Sequence, residues 1–179
     1  MRSALLWMAR NERLAQTIPN LRFAQRAVRR FMPGERADDA FAAAERLRDE
    51  RVGVLFTRLG ENITSLTEAE QTAAVYRQLL ERDSDRNHAV GPVELSIKPT
   101  QLGLDQDPDA CLRICRQLAA EAKALADTWF WIDMEGSDHT DRTLDLAESL
   151  MAEFDNVGIA IQAYLRRSPA DVARLLPLR

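Results

Sequence analysis

From about residue 52 onward, short apolar segments alternate with amphipathic segments four times, and this alternation constrains the fold more than any other feature of the sequence. The short segments are rich in β-branched and aromatic residues and predict strands, whereas an apolar spacing of three and four residues predicts helices. We predict strands over residues 52–57, 92–98, 129–134 and 157–165, with helices beginning near residues 67, 108, 140 and 168. Units that repeat at roughly 30–40 residues are typical of a parallel sheet with right-handed crossovers.

Two α/β architectures fit this pattern, a small doubly wound sheet and half of a β/α barrel, and the periodicity does not choose between them. The length of 179 residues excludes a complete eight-stranded barrel, because such barrels typically need about 250 residues. No apolar run reaches the roughly 18 residues that a membrane-spanning helix requires. The net charge of −4 gives no support to nucleic-acid binding.

Residues 1–50 form a predicted N-terminal helical arm, which precedes a body at residues 51–179. Two segments of the arm place apolar residues at helical spacing, the first at Leu21, Ala24, Val28 and Phe31 and the second at Phe41, Ala44 and Leu47. The first 36 residues carry eight arginines against two acids. This basic face is either a solvated helix surface or a weak peripheral contact with the inner membrane. A secretory signal is not evident, so we expect a cytoplasmic protein.

Helix starts carry side chains that are typical of caps. Thr67, with Glu70 three residues later, matches the capping-box pattern. Thr140 is predicted to cap the third helix of the body. Ser168 followed by Pro169 predicts a cap and a first helical position for the last helix.

Polar residues follow all four predicted strands, at the ends where parallel α/β folds gather their chemistry. Glu61 follows the first strand, Lys98 ends the second, Asp133 ends the third and Gln162 lies late in the fourth. An inward lysine must be paired or functional, because burying a lone ammonium group is costly. Each residue taken singly is also compatible with a solvated loop or a satisfied core position. Because four successive strands share the pattern, it favours a common pocket.

Other chemistry-bearing residues are assigned structural roles. Cys111 and Cys115 are four apart on a helix and are predicted to face the core. His88 and His139 stand alone in loops, so we predict no metal site. Glu135, which shares a predicted strand face with Asp133, and Tyr164, which shares one with Gln162, are instead weaker candidates for the common pocket.

Five ordered strings at the predicted strand ends resemble the proline dehydrogenase family of flavin-dependent enzymes. They are residues 58–61 (RLGE), 96–104 (SIKPTQLGL), 132–135 (IDME), 140–141 (TD) and 162–165 (QAYL). The KxTQLG string is the most specific of them. The match extends into the N-terminal arm through residues 31–35 (FMPGE).

The resemblance implies a partial (βα)8 TIM-type barrel of about four βα units preceded by N-terminal helices, with FAD at the carboxyl face. It implies oxidation of L-proline to Δ1-pyrroline-5-carboxylate, with a membrane quinone that reoxidises the flavin. By the same resemblance Asp133 is the active-site carboxylate, and Lys98 and Glu61 bind substrate. Met134 and Gln162 would contact the flavin.

The resemblance covers only about the first half of the family's barrel. The family's final helix carries paired arginines that hold the proline carboxylate, whereas Arg166 and Arg167 follow the fourth strand, which is the wrong place. We therefore expect a truncated proline dehydrogenase that shows no turnover alone with added FAD. The alternatives are a non-catalytic half-barrel module that needs a second chain, and a free-standing doubly wound binding domain. Open sheet edges also predict self-association.

Overall fold

The computed structural model describes residues 34, 36–60, 63–84 and 91–178. The chain divides into two compact units, Met1–Asp49 and Glu50–Arg179. In the first unit the described element is helix α1 (Ala37–Asp49). The predicted helix before Pro33, with its arginine-rich face, lies outside the described residues.

The second unit is an α/β body with four parallel strands. Its elements in chain order are β1 (Leu55–Thr57), α2 (Leu66–Ser84), β2 (Glu94–Ile97), a 3-10 helix (Pro99–Leu102), α3 (Pro108–Ala126), β3 (Phe130–Ile132), α4 (Thr140–Met151), β4 (Val157–Ile159), α5 (Ser168–Leu175) and a second 3-10 helix (Leu176–Leu178). Among the described helices, none combines the length and the apolarity that a membrane span requires.

The strand order decides between the two architectures that the sequence left open. The sheet has the order β1-β2-β3-β4, with every neighbouring pair parallel. A doubly wound sheet contains a point where the strand order reverses. A β/α barrel instead adds each strand beside the preceding one. The prediction of a partial β/α barrel is therefore confirmed.

One face of the sheet forms the hydrophobic core with the helices. The strand residues that point to this face share register positions and are Phe56, Leu95, Ile97, Phe130, Ile132, Val157 and Ile159. The predicted inward orientation of Cys111 and Cys115 on α3 is confirmed, since both thiols are buried. Desolvation and the neighbouring thiol of Cys111 hold the pKa of Cys115 well above its ordinary value, the contact with Cys111 being the larger cause.

Helix α1 buries a face that differs by one residue from the predicted one. Phe41 and Ala44 are buried as expected, whereas Leu47 is 40% exposed. Arg48 is buried in its place. The spacing of four from Ala44 to Arg48 keeps the buried stripe straight along the helix, and Leu47 lies about 100° away from Arg48 on the helix surface.

The strands are shorter than the sequence pattern predicts, most clearly in β4. This strand ends at Ile159, although the prediction extended it to residue 165. The Ala160 amide still donates to the Ile132 carbonyl at 2.9 Å, and the chain then turns, with the Leu165 amide donating to the Gln162 carbonyl at 3.2 Å. Gln162 therefore lies in a turn beyond the strand.

Helix α2 is capped by different residues from those predicted. The Ser65 hydroxyl accepts the Glu68 amide at 3.3 Å, and the Glu68 carboxylate accepts both the hydroxyl of Thr64 at 2.8 Å and its amide at 3.2 Å. The bonds from Thr64 lower the pKa of Glu68 below its ordinary value. The capping box is therefore Ser65 with Glu68, and the prediction of Thr67 with Glu70 was shifted by two residues.

The other two predicted caps are also corrected. Thr140 and Ser168 are the first residues of their helices, and the N-cap positions belong to His139 and Arg167, neither of which caps with its side chain. Thr140 is buried. The Ser168 hydroxyl donates at 2.6 Å to the Gln162 carbonyl, so this side chain closes the preceding turn.

The corrected capping box predicts unequal effects of two alanine substitutions. Ser65→Ala is expected to lower the free energy of unfolding by about 1 kcal/mol, because the Glu68 amide loses its acceptor. Thr67→Ala, inside the first turn, is expected to change it by less than about 0.5 kcal/mol. Urea denaturation followed by circular dichroism measures both. Equal losses would contradict the assignment of the cap.

Candidate functional site

The carboxyl ends of β2 and β3 bring Lys98 and Asp133 side by side. The two strands pair Ile97 with Ile132, and each candidate residue follows its paired isoleucine directly. The Asp133 amide donates to the Ile97 carbonyl at 2.8 Å, which joins the two strand ends. Both side chains are half-buried. The predicted proximity of a cation and a carboxylate at this edge thus has a defined backbone geometry.

The Asp133 carboxylate combines partial burial with a lack of hydrogen-bond donors among the described residues. Asp133 is half-buried, yet within the described ranges its side chain makes no hydrogen bond and no ion pair. A half-buried carboxylate is normally matched by donors, because desolvating it without them is costly. This carboxylate is therefore suited to a cationic or hydrogen-bond-donating ligand.

Gln162 and Met134 meet at the next strand end. The Gln162 side-chain amide donates to the Met134 carbonyl at 3.4 Å, and its oxygen accepts the Tyr164 hydroxyl at 3.3 Å. Both bonds are long, so a ligand could displace them at little cost. The Met134 side chain itself is only 7% exposed and belongs to the hydrophobic core.

Gln101, inside the first 3-10 helix, ties the loop after β1 to the loop after β2. Its side chain is 3% exposed. The Gln101 amide nitrogen donates to the carbonyls of Arg58, at 2.9 Å, and of Gly60. Gly60 has a φ of 116°, which side chains rarely adopt, so the turn that these bonds hold requires glycine.

The Tyr76 hydroxyl continues this network beneath the loops. It accepts the Arg58 amide at 3.0 Å and donates at 3.0 Å to the carbonyl of Ser96 in β2. The side-chain oxygen of Gln101 lies 3.4 Å from the same hydroxyl. Burial raises the pKa of Tyr76 above its ordinary value, so the phenol remains protonated and able to donate.

A second hydrogen-bonded contact joins the 3-10 helix to the end of β3. The Glu135 carboxylate accepts the Thr100 amide at 2.9 Å and the Thr100 hydroxyl at 2.5 Å. Glu135 thus faces the loop after β2, whereas the sequence pattern placed it only on the face of Asp133.

The face of the sheet opposite the core carries a fixed tryptophan. The Trp131 indole donates to the Glu94 carboxylate at 2.5 Å and stacks on Trp129, with ring centroids 5.4 Å apart. A Cβ at Gly158 would lie 2.2 Å from the Cζ3 atom of that indole. Glycine at position 158 therefore makes room for the ring of Trp131 on the strand that continues to Asp133.

Comparison with known proteins adds the family to this geometry. The family model for proline dehydrogenase matches residues 40–178. The chain belongs to the proline dehydrogenase family. The match includes the strand-end segments that carry Lys98, Asp133, Met134 and Gln162.

Individual proline dehydrogenases are similar over most of this chain. Proline dehydrogenase 1 of Bacillus subtilis is 28% identical over 179 residues, which are all of this chain and 58% of that protein. The Deinococcus radiodurans proline dehydrogenase is 32% identical over 84% of this chain and 49% of its own length. The chain therefore spans about half the length of these relatives.

Solved structures of proline utilization A (PutA) share the fold. One PutA structure, described as having proline bound in remote sites, matches with a TM-score of 0.69 and 25% identity over 93% of this chain and 19% of that chain. PutA of Bdellovibrio bacteriovorus matches at 24% identity with a TM-score of 0.70, over 82% of this chain and 18% of its own, which supports the fold.

Glu61 was predicted to bind substrate, whereas Arg167 was predicted not to hold the proline carboxylate. Glu61 lies outside the described residues, so its substrate contact stays a prediction. Arg167 donates to Asp141 at 2.5 Å and to Asp171 at 2.8 Å. Arg167 therefore joins α4 to α5, as expected for an arginine that does not hold substrate.

His139 has a role that the sequence did not reveal. Its Nε2 lies 3.0 Å from the Asp105 carboxylate, which also accepts Arg142 at 2.7 Å. The contact with His139 and then that with Arg142 lower the pKa of Asp105. Among the described residues no group of His, Cys, Asp and Glu is arranged to hold a metal ion.

The sequence analysis missed Gln101 and Tyr76 as members of this candidate site, and it named Glu135 without its contact with Thr100. Gln101 lies within the KxTQLG string, so its position was visible while its contacts were not. A compositional signal also marks the site: the chain has 24 Lys and Arg residues, of which only Lys98 and Lys123 are lysines. Lysine at position 98 thus stands out against a general preference for arginine.

Proposed function

We propose that this chain supplies the β1–β4 side of an FAD-dependent site that oxidises L-proline to Δ1-pyrroline-5-carboxylate. The observation that carries the proposal is the half-buried Asp133 carboxylate, which has no partner among the described residues and lies beside Lys98 at the strand ends. Membership of the proline dehydrogenase family supports it. Relatives about twice as long as the matched region imply that further strands complete the site.

Proline is a zwitterion, so its pocket needs a group of each charge. The Asp133 carboxylate can accept a hydrogen bond from the proline nitrogen, and the Lys98 ammonium can attract the proline carboxylate. The two groups are carried by neighbouring strand ends, whose backbones lie roughly 4.8 Å apart. In our proposal Asp133 orients the ring nitrogen, Lys98 holds the carboxylate, and Glu61 adds a second acidic contact.

The donor set at the strand ends fits a flavin. A flavin ring needs hydrogen-bond donors and acceptors on one edge and apolar surface elsewhere. Gln162 offers a side-chain amide with two long, replaceable bonds, and Met134 offers a carbonyl beside it. When bound, FAD is the acceptor of the hydride that leaves the carbon next to the proline nitrogen. In our proposal the Gln162 side chain bonds to the edge of the flavin ring, and Met134 contacts the ring beside it.

The remaining partners follow from the proposed chemistry. A membrane quinone would reoxidise the flavin, which is consistent with a cytoplasmic enzyme that meets the inner membrane at its periphery. The eight arginines of residues 1–36 supply the charge for such a contact with anionic lipid.

Flavin titration tests the proposed site. The full 179-residue chain is mixed with FAD, bound flavin is measured by fluorescence, and L-proline is then added while the visible spectrum is recorded. We expect FAD to bind and proline to change its spectrum. Asp133→Ala should weaken the proline response about tenfold or more while FAD still binds, because a charge-assisted hydrogen bond is worth about 1.5–3 kcal/mol.

Asp138→Ala is the matched control, since Asp138 is an exposed carboxylate in the same loop. It should leave the proline response unchanged. Failure of FAD to bind the chain, or an equal loss in both variants, would contradict the proposal.

A second candidate is a non-catalytic half-barrel module that binds another chain. It is favoured by the sheet edges: within the described residues, β1 pairs only with β2 and β4 pairs only with β3. Strand edges that are unpaired can pair with a second copy or with strands of another chain. The flavin titration separates the candidates: a spectral response to proline that Asp133→Ala weakens supports the enzyme, whereas a dimer whose spectrum does not respond to proline supports the module.

A further inference from the structure

The link between Glu135 and Thr100 joins the two loops that carry Lys98 and Asp133. The Glu135 carboxylate accepts two hydrogen bonds from Thr100, at 2.9 Å from the amide and 2.5 Å from the hydroxyl. Thr100 is 2% exposed and Glu135 is half-buried. Bonds to an ionised acceptor in such surroundings are about twice as strong as neutral ones.

Glu135 supplies the acceptor that the first 3-10 helix lacks in its own sequence. Lys98 occupies the N-cap position and makes no side-chain cap, and Pro99 has no N–H. The backbone N–H of Gln101 donates to the Lys98 carbonyl at 2.9 Å. The backbone N–H of Thr100 is therefore the donor of this first turn that still needs an acceptor. A lysine at the N-cap has no acceptor atom to offer, so Glu135 satisfies this amide from another strand end.

The ladder of the sheet stops short of the two candidate residues. Strands β2 and β3 end at Ile97 and Ile132. Nearest to them, the hydrogen bonds that join the two loops are the Asp133 amide bond to Ile97 and the Glu135–Thr100 pair, whereas the His139–Asp105 contact joins the loops farther along the chain. Thr100 lies two residues after Lys98, and Glu135 two residues after Asp133. The pair and the Asp133 amide bond therefore link the segment 97–100 to the segment 132–135 on both sides of Lys98 and Asp133.

We propose that Glu135 is a positioning residue, which holds the strand ends that carry Lys98 and Asp133 next to each other by bonding Thr100 across them. This inference rests on the proposed function in one respect: Lys98 and Asp133 are taken as the two polar groups of the substrate site. The geometry itself can be measured without flavin or proline.

Zero-length crosslinking measures this geometry. A water-soluble carbodiimide joins an amine to a carboxylate that it touches, and mass spectrometry of the digest identifies the joined peptides. The chain has only Lys98 and Lys123 as lysines, so few products form. The Lys123 ammonium lies 3.0 Å from the Asp127 carboxylate, which supplies an internal reference crosslink. Lys98 and Asp133 form no ion pair in the structure, but they follow paired residues of adjacent strands, so side-chain rotation brings the ammonium group to the activated carboxylate. We therefore expect wild-type protein to give a Lys98–Asp133 crosslink as well.

Glu135→Ala is expected to lower the Lys98–Asp133 yield about fivefold relative to the reference crosslink, because both bonds to Thr100 are lost. Glu135→Gln should restore most of it, since its amide oxygen can accept the Thr100 N–H and its NH2 group can donate to the hydroxyl. Thr100→Val removes the hydroxyl bond while the side chain keeps nearly the same shape, so it should give an intermediate crosslink yield. Glu153→Ala removes a carboxylate that bonds to Arg116 and lies before the start of β4, so it should leave the Lys98–Asp133 crosslink yield unchanged.

The outcomes separate this inference from the proposed function. Unchanged yield in Glu135→Ala and Thr100→Val would overturn the positioning role, as would the absence of the crosslink in wild-type protein. If Glu135→Ala does not fold, as judged by circular dichroism, Thr100→Val and Glu135→Gln decide the question. Failure of the flavin titration with this crosslinking pattern intact would overturn the proposed function alone.

Discussion

Gln101→Ala is expected to lower the free energy of unfolding by about 3 kcal/mol. The substitution removes the side chain that joins the loop after β2 to the loop after β1. The Gln101 amide donates to the carbonyls of Arg58 and Gly60. Its side chain is almost completely buried, so alanine also leaves a small cavity. Urea denaturation of the full chain measures the loss.

The same substitution is expected to loosen the loop after β1. The Arg58 amide would keep its bond to the Tyr76 hydroxyl, whereas the carbonyls of residues 58 and 60 would lose theirs. Hydrogen exchange of that loop should therefore accelerate more than exchange in α3. Gln106→Ala is the matched control, since Gln106 makes one exposed bond to the Ile63 carbonyl at 2.7 Å. Equal destabilisation by the two alanines would refute the special role of Gln101.

Gly158→Ala is the second substitution with a large expected effect. An alanine Cβ would lie 2.2 Å and 2.4 Å from the Cζ3 and Cε3 atoms of Trp131, too close for any side chain to tolerate without movement. The indole is held by its bond to Glu94 and by stacking on Trp129, so it cannot move without losing these contacts. We expect a loss of about 2 kcal/mol in the free energy of unfolding.

Near-ultraviolet circular dichroism and tryptophan fluorescence report the displacement directly, since stacked indoles give strong signals. Gly53→Ala is the matched control, because a Cβ at Gly53 meets nothing within 4 Å. It should change the free energy of unfolding by less than about 0.5 kcal/mol. A stable Gly158→Ala variant with an unchanged tryptophan spectrum would show that the packing of Trp131 is not fixed.

The sequence predicted the sequence of elements well because hydrophobic periodicity is a local property. Helix α3 begins at residue 108 as predicted, and Cys111 and Cys115 face the core as expected. Strand lengths were predicted less well, since β4 ends at Ile159 when the chain turns. Apolar and β-branched residues continue beyond that point, so the pattern alone gave no sign of the turn.

The caps show why local patterns can mislead. Thr67 with Glu70 and Ser65 with Glu68 are both three residues apart, and only the point where the helix begins selects between them. Ser168 resembles a cap in sequence but donates to the Gln162 carbonyl. Which hydroxyl caps a helix depends on the path of the preceding loop, and tertiary contacts set that path.

The candidate site also has a part that the sequence predicted and a part that only the structure showed. The placement of Lys98, Asp133 and Gln162 at or beyond neighbouring strand ends could be predicted because strand ends are visible in the sequence and the matching strings lie there. Glu135 and Gln101 could not be assigned their contacts, because each bonds to a loop more than 30 residues away. Such pairings have no periodic signature.

The sequence by itself determined an α/β chain with four strand–helix units, polar residues at the strand ends and the family to which those residues belong. Hydrophobic spacing and short residue strings are local, and local order needs no knowledge of the fold. The tertiary structure alone decided that the strands lie in the order β1-β2-β3-β4 and that Glu135 and Gln101 bind neighbouring loops. The physical reason is that strand order and loop contacts arise from pairing between distant segments, which is fixed only when the sheet and its helices pack together.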